Sequence, residues 1–282
     1  MAGAADSALL REYELSDDDF QRIRSLAHER LGIALAESKR ELVYGRLSRR
    51  LRALKLRDFA SYLKCVEGGN GQELQHFCNA ITTNLTSFFR ESHHFDFLAQ
   101  LLPELERRNA QRRRLRFWSA GCSTGEEAYS IAMVVLENTG HLCDWNIRIL
   151  ATDVDTNVLA HARHGQYGAD RLEKIEPERV QRWFEPSSDG RHYRVHEPLR
   201  QLVSFKTLNL IDHWPMHGPI DVIFCRNVVI YFDRDTQRQI VARMAGLQRL
   251  DDHLLVGHSE SLLHVSKQYR LVGDTIHRRI DP

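Results

Sequence analysis

Apolar residues recur at intervals of three and four from Ser16 to about residue 80. The stretches "SDDDFQRIRSLAHERLGI", "SKRELVYGRLSRRLRALKL", "DFASYLKCVEG" and "ELQHFCNAIT" therefore predict helices, each with one buried face. Ser16, with Asp19 three residues on, reads as an N-terminal cap, and "EGGNGQ" (67–72) reads as a break. After about residue 112 the spacing changes to short apolar runs separated by helical ones. "LRFWSAG" predicts strand one, followed by a helix over 125–138. "NIRILATDVD" predicts strand two, and "TNVLAHARHG" a helix. "LVSFKTLNL" predicts strand three. "IDVIFCRN" predicts strand four, followed by a helix over 234–249. "HLLVGHS" predicts strand five, and "YRLVGDTIHRRI" two strands about a Gly-Asp turn. Strands of this kind, separated by helices, build a mostly parallel sheet covered on both faces. Such sheets bind ligands at the carboxyl ends of their strands, near the switch point. Between strands two and three, "FEPSSDGRHYRV" and "EPLRQLV" predict a helix followed by a small antiparallel insert, at about 168–201. The expected organisation is a loose tail (1–10), a helical domain (11–85), a linker (86–112) and an α/β domain (113–282), the last doubly wound.

Composition narrows the setting. Of 282 residues, 42% are hydrophobic and 27% charged, which is ordinary for a globular chain. The net charge of +1 leaves attraction to acidic partners to local patches. Five cysteines (65, 78, 122, 143 and 225) without a C-x-x-C pair argue against a disulfide framework or a zinc ribbon. The amino-terminal residues lack the basic and apolar regions of a signal peptide, and no run approaches the ~18 apolar residues of a membrane span. A cytoplasmic setting is expected, with no membrane insertion. The fifteen histidines form no H-E-x-x-H or comparable ligand set, so no metal is expected.

The candidate chemistry lies in "FWSAGCSTGEEAYSIAM" (117–133), where a strand meets a glycine turn and then a helix. A phosphate loop would need G-x-G-x-x-G or a P-loop lysine, and the acids Glu126 and Glu127 would repel a phosphate. Gly121-Cys-Ser123-Thr-Gly125 also fits the G-x-S-x-G nucleophile elbow, with Asp221 and His258 in hydrolase order. There the two acids oppose an oxyanion. A third ligand class uses them: a molecule with a cationic amino group and a cationic sulfur, such as S-adenosylmethionine. Asp153, 28 residues beyond Gly125 at the end of strand two, could accept from both hydroxyls of its ribose. Asn209 closes strand three and Asn227 closes strand four, with amides suited to adenine edges and a zwitterion. Each acid could also be a helix cap, and each asparagine a turn former.

Five ordered blocks add a resemblance. "NLTSFFRESHHF" (84–95), "WSAGCSTGEEAYSIAM" (118–133), "ATDVDTNVLAHAR" (151–163), "IFCRNVVIYFD" (223–233) and "GHSESL" (257–262) together resemble the chemotaxis receptor methyltransferases, the CheR family. The resemblance implies an N-terminal all-helical domain and a class I, Rossmann-like methyltransferase domain with a small β-subdomain. It implies methyl transfer from S-adenosylmethionine to glutamate side chains of chemoreceptors, for sensory adaptation, leaving S-adenosylhomocysteine. By motif, Asn84, Thr86 and Arg90 would reach the cofactor, and Gly121, Glu127 and Asp153 would hold its methionine and ribose. Glu126 is the second choice to Glu127. Asn209 with Leu210, and Asn227 with Val228, would line the adenine and sulfonium side. Arg90 and Tyr231 would act on the reacting carboxylate. A serine hydrolase using Ser123 and a non-catalytic S-adenosylmethionine sensor are the alternative readings.

Residues 39–57 carry eight Lys/Arg and one Glu. At about 100° per residue, Lys39, Arg46, Arg49 and Arg50 fall on one arc, and Leu47, Leu51 and Leu54 on the next. The leucines are expected to pack inward and the basic arc to face out. Aromatics are not interleaved as on a nucleic-acid stacking platform. The resemblance assigns Arg46, Arg49 and Arg50 to the acidic methylation helices in the cytoplasmic domain of transmembrane chemoreceptors. The loop "EPSSDGRH" (185–192) is shorter than in relatives that grip a receptor tail peptide, which speaks against such binding here.

Overall fold

A computed structural model describes residues 12–69 and 71–281, and the expected tail at 1–10 lies outside the described residues. The chain divides into two compact units at Thr82/Thr83. The expected boundary was after residue 85.

Among its described residues the first unit holds four α-helices, α1 (Asp17–Leu31), α2 (Arg40–Leu54), α3 (Phe59–Gly68) and α4 (Gln72–Ile81). The Ser16 hydroxyl accepts the Asp19 amide and caps α1, and Gly32 ends the helix at φ 71°. Phe20, Ile23, Val43, Leu47, Leu51, Phe59, Leu63 and Phe77 form the core. On α2 the expected basic arc divides. Arg46 donates through Nη1 to the carbonyls of Ala80, Ile81 and Thr82, at 3.1, 3.2 and 2.5 Å. These carbonyls close α4, where the helix has no partners for them and the dipole favours a cation. Arg50 forms a two-bond pair with Glu73, at 3.0 and 2.7 Å. Both arginines therefore serve α4 and do not form an outer face. Lys39 and Arg49 remain exposed. Leu54, expected inside, is 36% exposed in the last turn of α2.

The second unit contains a helix where a linker was expected, α5 (His93–Asn109), which buries Phe95, Leu98, Leu101, Leu102 and Leu105. The helix period of "HHFDFLAQLLPELERRN" accounts for it, and Pro103 is tolerated inside. Then follow β1 (Arg114–Ala120), α6 (Glu126–Thr139), β2 (Asn146–Asp153) and α7 (Thr156–His164). The insert contributes β3 (Gln166–Gly168), α8 (Pro177–Trp183), β4 (Phe184–Pro186) and β5 (His192–Val195). Its three strands pair antiparallel in the order β3-β5-β4, so the helix lies within the insert and not before it. α9 (Glu197–Leu202), β6 (Val203–Thr207), β7 (Val222–Cys225), α10 (Arg234–Gly246), β8 (His253–Val256), β9 (Tyr269–Gly273) and β10 (Ile276–Arg279) complete the unit.

The main sheet has the order β6-β2-β1-β7-β8-β10-β9, parallel except for β10, which runs antiparallel to both of its neighbours. From β1 the chain builds outward through β2 and β6, then crosses to β7 on the other side. The switch point therefore lies between β1 and β7, where the register pairs Ser119 with Phe224. β7 and β8 are buried along their full length. Among the described residues no helix is long and apolar enough to cross a membrane.

Candidate functional site

The carboxyl ends of β2, β1 and β7 lie side by side at one edge of the main sheet, the crevice position of such sheets. After β1, the amides of Gly121 and Cys122 both donate to Thr152 O, at 2.8 and 2.9 Å. The turn then passes through positive φ at Gly121 (82°), Ser123 (49°) and Gly125 (97°). A Cβ on Gly121 would stand 2.4 Å from Val228 Cγ2, and one on Gly125 would stand 2.8 Å from Ala162 Cβ. Glycine is thus required twice, by backbone conformation and by close approach.

Asp153 ends β2 and is 8% exposed. Its carboxylate accepts the amides of Ser123 (2.8 Å) and Asp155 (3.0 Å), one on each oxygen. Burial pushes its carboxyl up, and those two bonds oppose the push. Val154 is a third backbone donor to it, and with about four acceptor sites the carboxylate keeps capacity for a ribose hydroxyl. Leu208 N donates to Asp153 O at 3.0 Å, which sets Asn209 beside this acid. Leu210 is buried among Trp118, Ala120 and Ile223.

The two glutamates of α6 separate. Glu126 is fully enclosed, held by Thr124 Oγ1 at 2.6 Å and by Arg171 from the insert. Glu127 points to the strand ends. Ser119 Oγ donates to it at 2.7 Å and Arg226 Nη1 at 3.0 Å. Burial pushes the Glu127 carboxyl up, against the Arg226 charge and the Ser119 bond.

Residues 84–91 form a strap beside these strand ends, tied by donors and acceptors from six places in the second unit. Ser123 Oγ donates to Asn84 O at 3.0 Å, and Asn84 Nδ2 donates to Asp155 Oδ2 at 2.7 Å. Arg171 donates to Thr86 O at 2.9 Å, and Phe89 N donates to Ser130 Oγ at 3.0 Å. Arg226 donates to Arg90 O, and His258 Nδ1 lies 2.9 Å from Glu91 Oε1. Arg90 itself turns Nη1 onto Leu85 O at 2.9 Å.

Beyond β7, Asn227 adopts φ 58°, and a Cβ on Gly257 would stand 2.3 Å from its Nδ2. The Glu260 carboxylate holds this loop. It accepts the amides of Asn227 and Val228 at 2.8 Å each, Ile230 at 3.2 Å and Gly257 at 2.5 Å. Tyr231, half-buried, ends the short 3-10 turn that follows.

The structure thus brings Asn84, Gly121, Glu127, Asp153, Val228 and the Arg90 backbone to one sheet edge. It does not assemble the hydrolase constellation. Ser123 Oγ is used on Asn84 O, and His258 meets Glu91. Asp221 lies at the opposite, amino end of β7, where it accepts from Arg116 N, Asn109 and Arg249. A nucleophile without a neighbouring base is not an elbow. Arg46, Arg49 and Arg50 belong to the other unit. Sequence reasoning also passed over Glu91, Asp155, Arg171, Arg226 and Glu260. A signal existed for two of them. Arg226 directly follows the apolar run "VIFC", and Glu260 follows "LLVGHS", so each places a charge at the end of a buried strand.

Glu91 gives the site a pH dependence. Burial would raise its carboxyl, but the His258 bond and the Arg226 charge outweigh burial and hold it at about 2. An acid depressed in the fold stabilises above its ordinary pKa and loses that contribution as pH falls through the folded value. Glu91→Gln should therefore lower stability near neutral pH by about 1–2 kcal/mol, after solvent screening around exposed His258. The gap to wild type should close between about pH 4.5 and about pH 2. Urea denaturation across that range measures it, and a gap independent of pH would remove the charge argument.

Comparison with known proteins adds the relatives. The family model "CheR methyltransferase, all-alpha domain" matches residues 18–82, and "CheR methyltransferase, SAM binding domain" matches residues 84–277. Chemotaxis protein methyltransferase 2 of Pseudomonas aeruginosa is 46% identical over 271 residues, covering 95% of each chain. The chemotaxis protein methyltransferase of Escherichia coli is 44% identical over 268 residues, covering 93% of this chain and 91% of its own. That of Salmonella typhimurium is likewise 44% identical over 268 residues, covering 93% and 90%.

Proposed function

Because the chain belongs to the CheR methyltransferase family, and so is an S-adenosylmethionine-dependent methyltransferase of chemotaxis, we propose that it esterifies glutamate side chains of chemoreceptors. The observation that carries the reading is the cleft itself: a glycine turn at the switch point bordered by Glu127 and Asp153, two acids that suit a cation and a diol.

S-adenosylmethionine supplies a methyl group on a sulfonium, whose sulfur departs with the C–S electron pair. The chain's residues then have four tasks. Glu127 holds the amino group and Asp153 the ribose hydroxyls. Gly121 leaves room for close approach beside Val228. Asn84, Thr86, Asn209, Leu210 and Asn227 shape the remaining walls. Arg90 orients the incoming carboxylate and Tyr231 hydrogen-bonds it. A receptor glutamate has an ordinary pKa of about 4.3, so at neutral pH it is already the nucleophile and no strong base is needed. Rate comes from alignment in line with the departing sulfur and from excluding water. The test is incubation with methyl-labelled S-adenosylmethionine and receptor-rich membranes. Base-labile label on a receptor band supports the ester, and absence of label with several competent receptors sinks it.

Receptor docking is proposed for the exposed basic residues of α2, with Arg49 kept and Arg46 and Arg50 set aside as ties to α4. Arg49→Glu should change stability by no more than about 0.5 kcal/mol, as exposed substitutions do. It should raise KM for receptor while kcat holds, because the contact is remote from the methyl group. Rising salt should weaken wild-type methylation more than that of the variant. Steady-state kinetics at several salt concentrations decide it, and an unchanged KM with an unchanged salt response would place docking elsewhere. The short β4–β5 connection keeps a receptor tail peptide outside this proposal.

A further inference from the structure

Arg226 is 5% exposed, and each end of its guanidinium serves a different part of the cleft. Nη1 donates to Glu127 Oε2 at 3.0 Å. Nη2 donates to Arg90 O and stands 3.3 Å from Glu91 Oε2. The Phe95 ring lies beneath it, with the centroid 5.6 Å from Cζ. One buried cation therefore bonds Glu127, shares Glu91 with His258, and fastens the strap backbone at the residue that the proposed function assigns to the incoming carboxylate.

Among the described residues, Arg226 is the cation that bonds Glu127, and Arg90 Nε lies 4.0 Å from Glu91 instead. Ser119, from β1, is a neutral donor. Cys122 after β1 and Cys225 at the end of β7 are enclosed, and burial pushes both thiols up, so they stay protonated. Glu91, from the strap, is an anion. His94 on α5 lies 3.7 Å from Glu91, and burial first, then the Arg226 charge, lowers it to about 3, so it is neutral at working pH. Remove Arg226, and Glu127 is left enclosed beside a second carboxylate with one hydroxyl donor. A carboxyl in that setting takes up a proton. Once neutral, it no longer attracts an ammonium group.

Resting on the reading of Glu127 as the amino-group contact, we propose that Arg226 is a positioning residue for methyl transfer, a single guanidinium that supplies the counter-charge of Glu127 and ties the 84–91 strap to the end of β7. The two halves of this role separate experimentally. A lysine in its place keeps the charge but, with one compact ammonium, cannot span Glu127 and the Arg90 carbonyl together. Methionine keeps apolar bulk and loses both.

The experiment is calorimetric titration with S-adenosylhomocysteine from about pH 6 to about pH 9, on wild type, Arg226→Met and Arg226→Lys. Arg226→Met should bind about tenfold or more weakly near pH 6.5, and its deficit should shrink as pH rises, because the binding form of Glu127 is the one that has lost its proton. Arg226→Lys should follow the wild-type pH course. Its strap amides at 84–91 should nevertheless exchange with deuterium faster than those of wild type. If the methionine variant does not fold, the lysine variant still decides: wild-type exchange in the strap, or a new acid limb in its affinity, overturns the proposal. A methionine variant whose deficit is the same at every pH reduces Arg226 to packing and also overturns it. Failure of the wild type itself to bind S-adenosylhomocysteine would count against the cofactor site as a whole, which is a different result from normal binding in all three proteins.

Discussion

Glu260→Ala should destabilise the protein by about 3–5 kcal/mol and remove most methylation from the fraction that still folds. The carboxylate is 5% exposed and accepts four backbone amides, from Asn227, Val228, Ile230 and Gly257. Burial pushes its carboxyl up and those four bonds oppose the push, so the native fold must supply them together. Alanine would leave four donors facing a cavity. Each unsatisfied buried group costs about 1–3 kcal/mol, reduced here where water can enter. The loop also has a reason to collapse without its anchor. Asn227 sits at φ 58°, in the left-handed region that asparagine enters more readily than other side-chain-bearing residues but still at a cost, which the anchor offsets. Because that loop carries Asn227, Val228 and Tyr231, the kinetic loss should exceed what unfolding explains. Urea denaturation gives the first quantity, and initial rates normalised to folded protein give the second. A variant with wild-type stability and rate would show that the loop holds itself. Glu260→Gln is the sharper control, since its amide NH2 would face N–H donors that need an acceptor.

The second large effect is expected at Asp153. Asp153→Ala should weaken S-adenosylhomocysteine binding by about 1.5–3 kcal/mol, the scale of charge-assisted hydrogen bonds, or about tenfold to 150-fold. The same substitution frees the amides of Ser123 and Asp155, so the glycine turn and the start of α7 should loosen with it. Asp153→Asn should behave almost as badly. Its single carbonyl can serve one amide, and its NH2 would then meet the other. Calorimetry on the folded variants measures the affinity. An unchanged affinity in Asp153→Ala would take this acid out of the cofactor site.

The fold was largely legible because its signals are local. A period of three to four gave α1 to α4, and apolar runs bounded by turns gave the strands of the main sheet. The switch point followed from alternation of strand and helix alone. What the sequence hid was set by partners far away in the chain. The α5 helix carries the right period, but the polar, irregular "NLTSFFRES" before it hides where the helix starts. Arg46 and Arg50 were assigned from a helical wheel, which gives the direction of a side chain but not what stands opposite. Here the opposite surface is the carboxyl end of α4 and Glu73, both available to an arginine's long stem. In the cleft, the glycines and acids of "GCSTGEE" and the Asp153 position were readable, since turn geometry and charge are written in adjacent residues. Arg226 and Glu260 are marked in the sequence only as charges at the ends of buried strands. Each works by joining segments 30 or more residues apart, and no pattern in one segment names its partner.

The strap at 84–91 begins two residues after the helical unit ends, and every tie described for it lies within residues 83–282. Inheritance can act on the two parts separately. A recombination event joining a different helical unit at Thr82/Thr83 would leave all of those ties encoded in the part that stays, and on the docking reading proposed above it would exchange the docking surface. Substitutions along α1 to α4 leave the encoding of those ties untouched, so under the proposed docking a lineage would change its target through the first unit and keep the strap's bonds in the second.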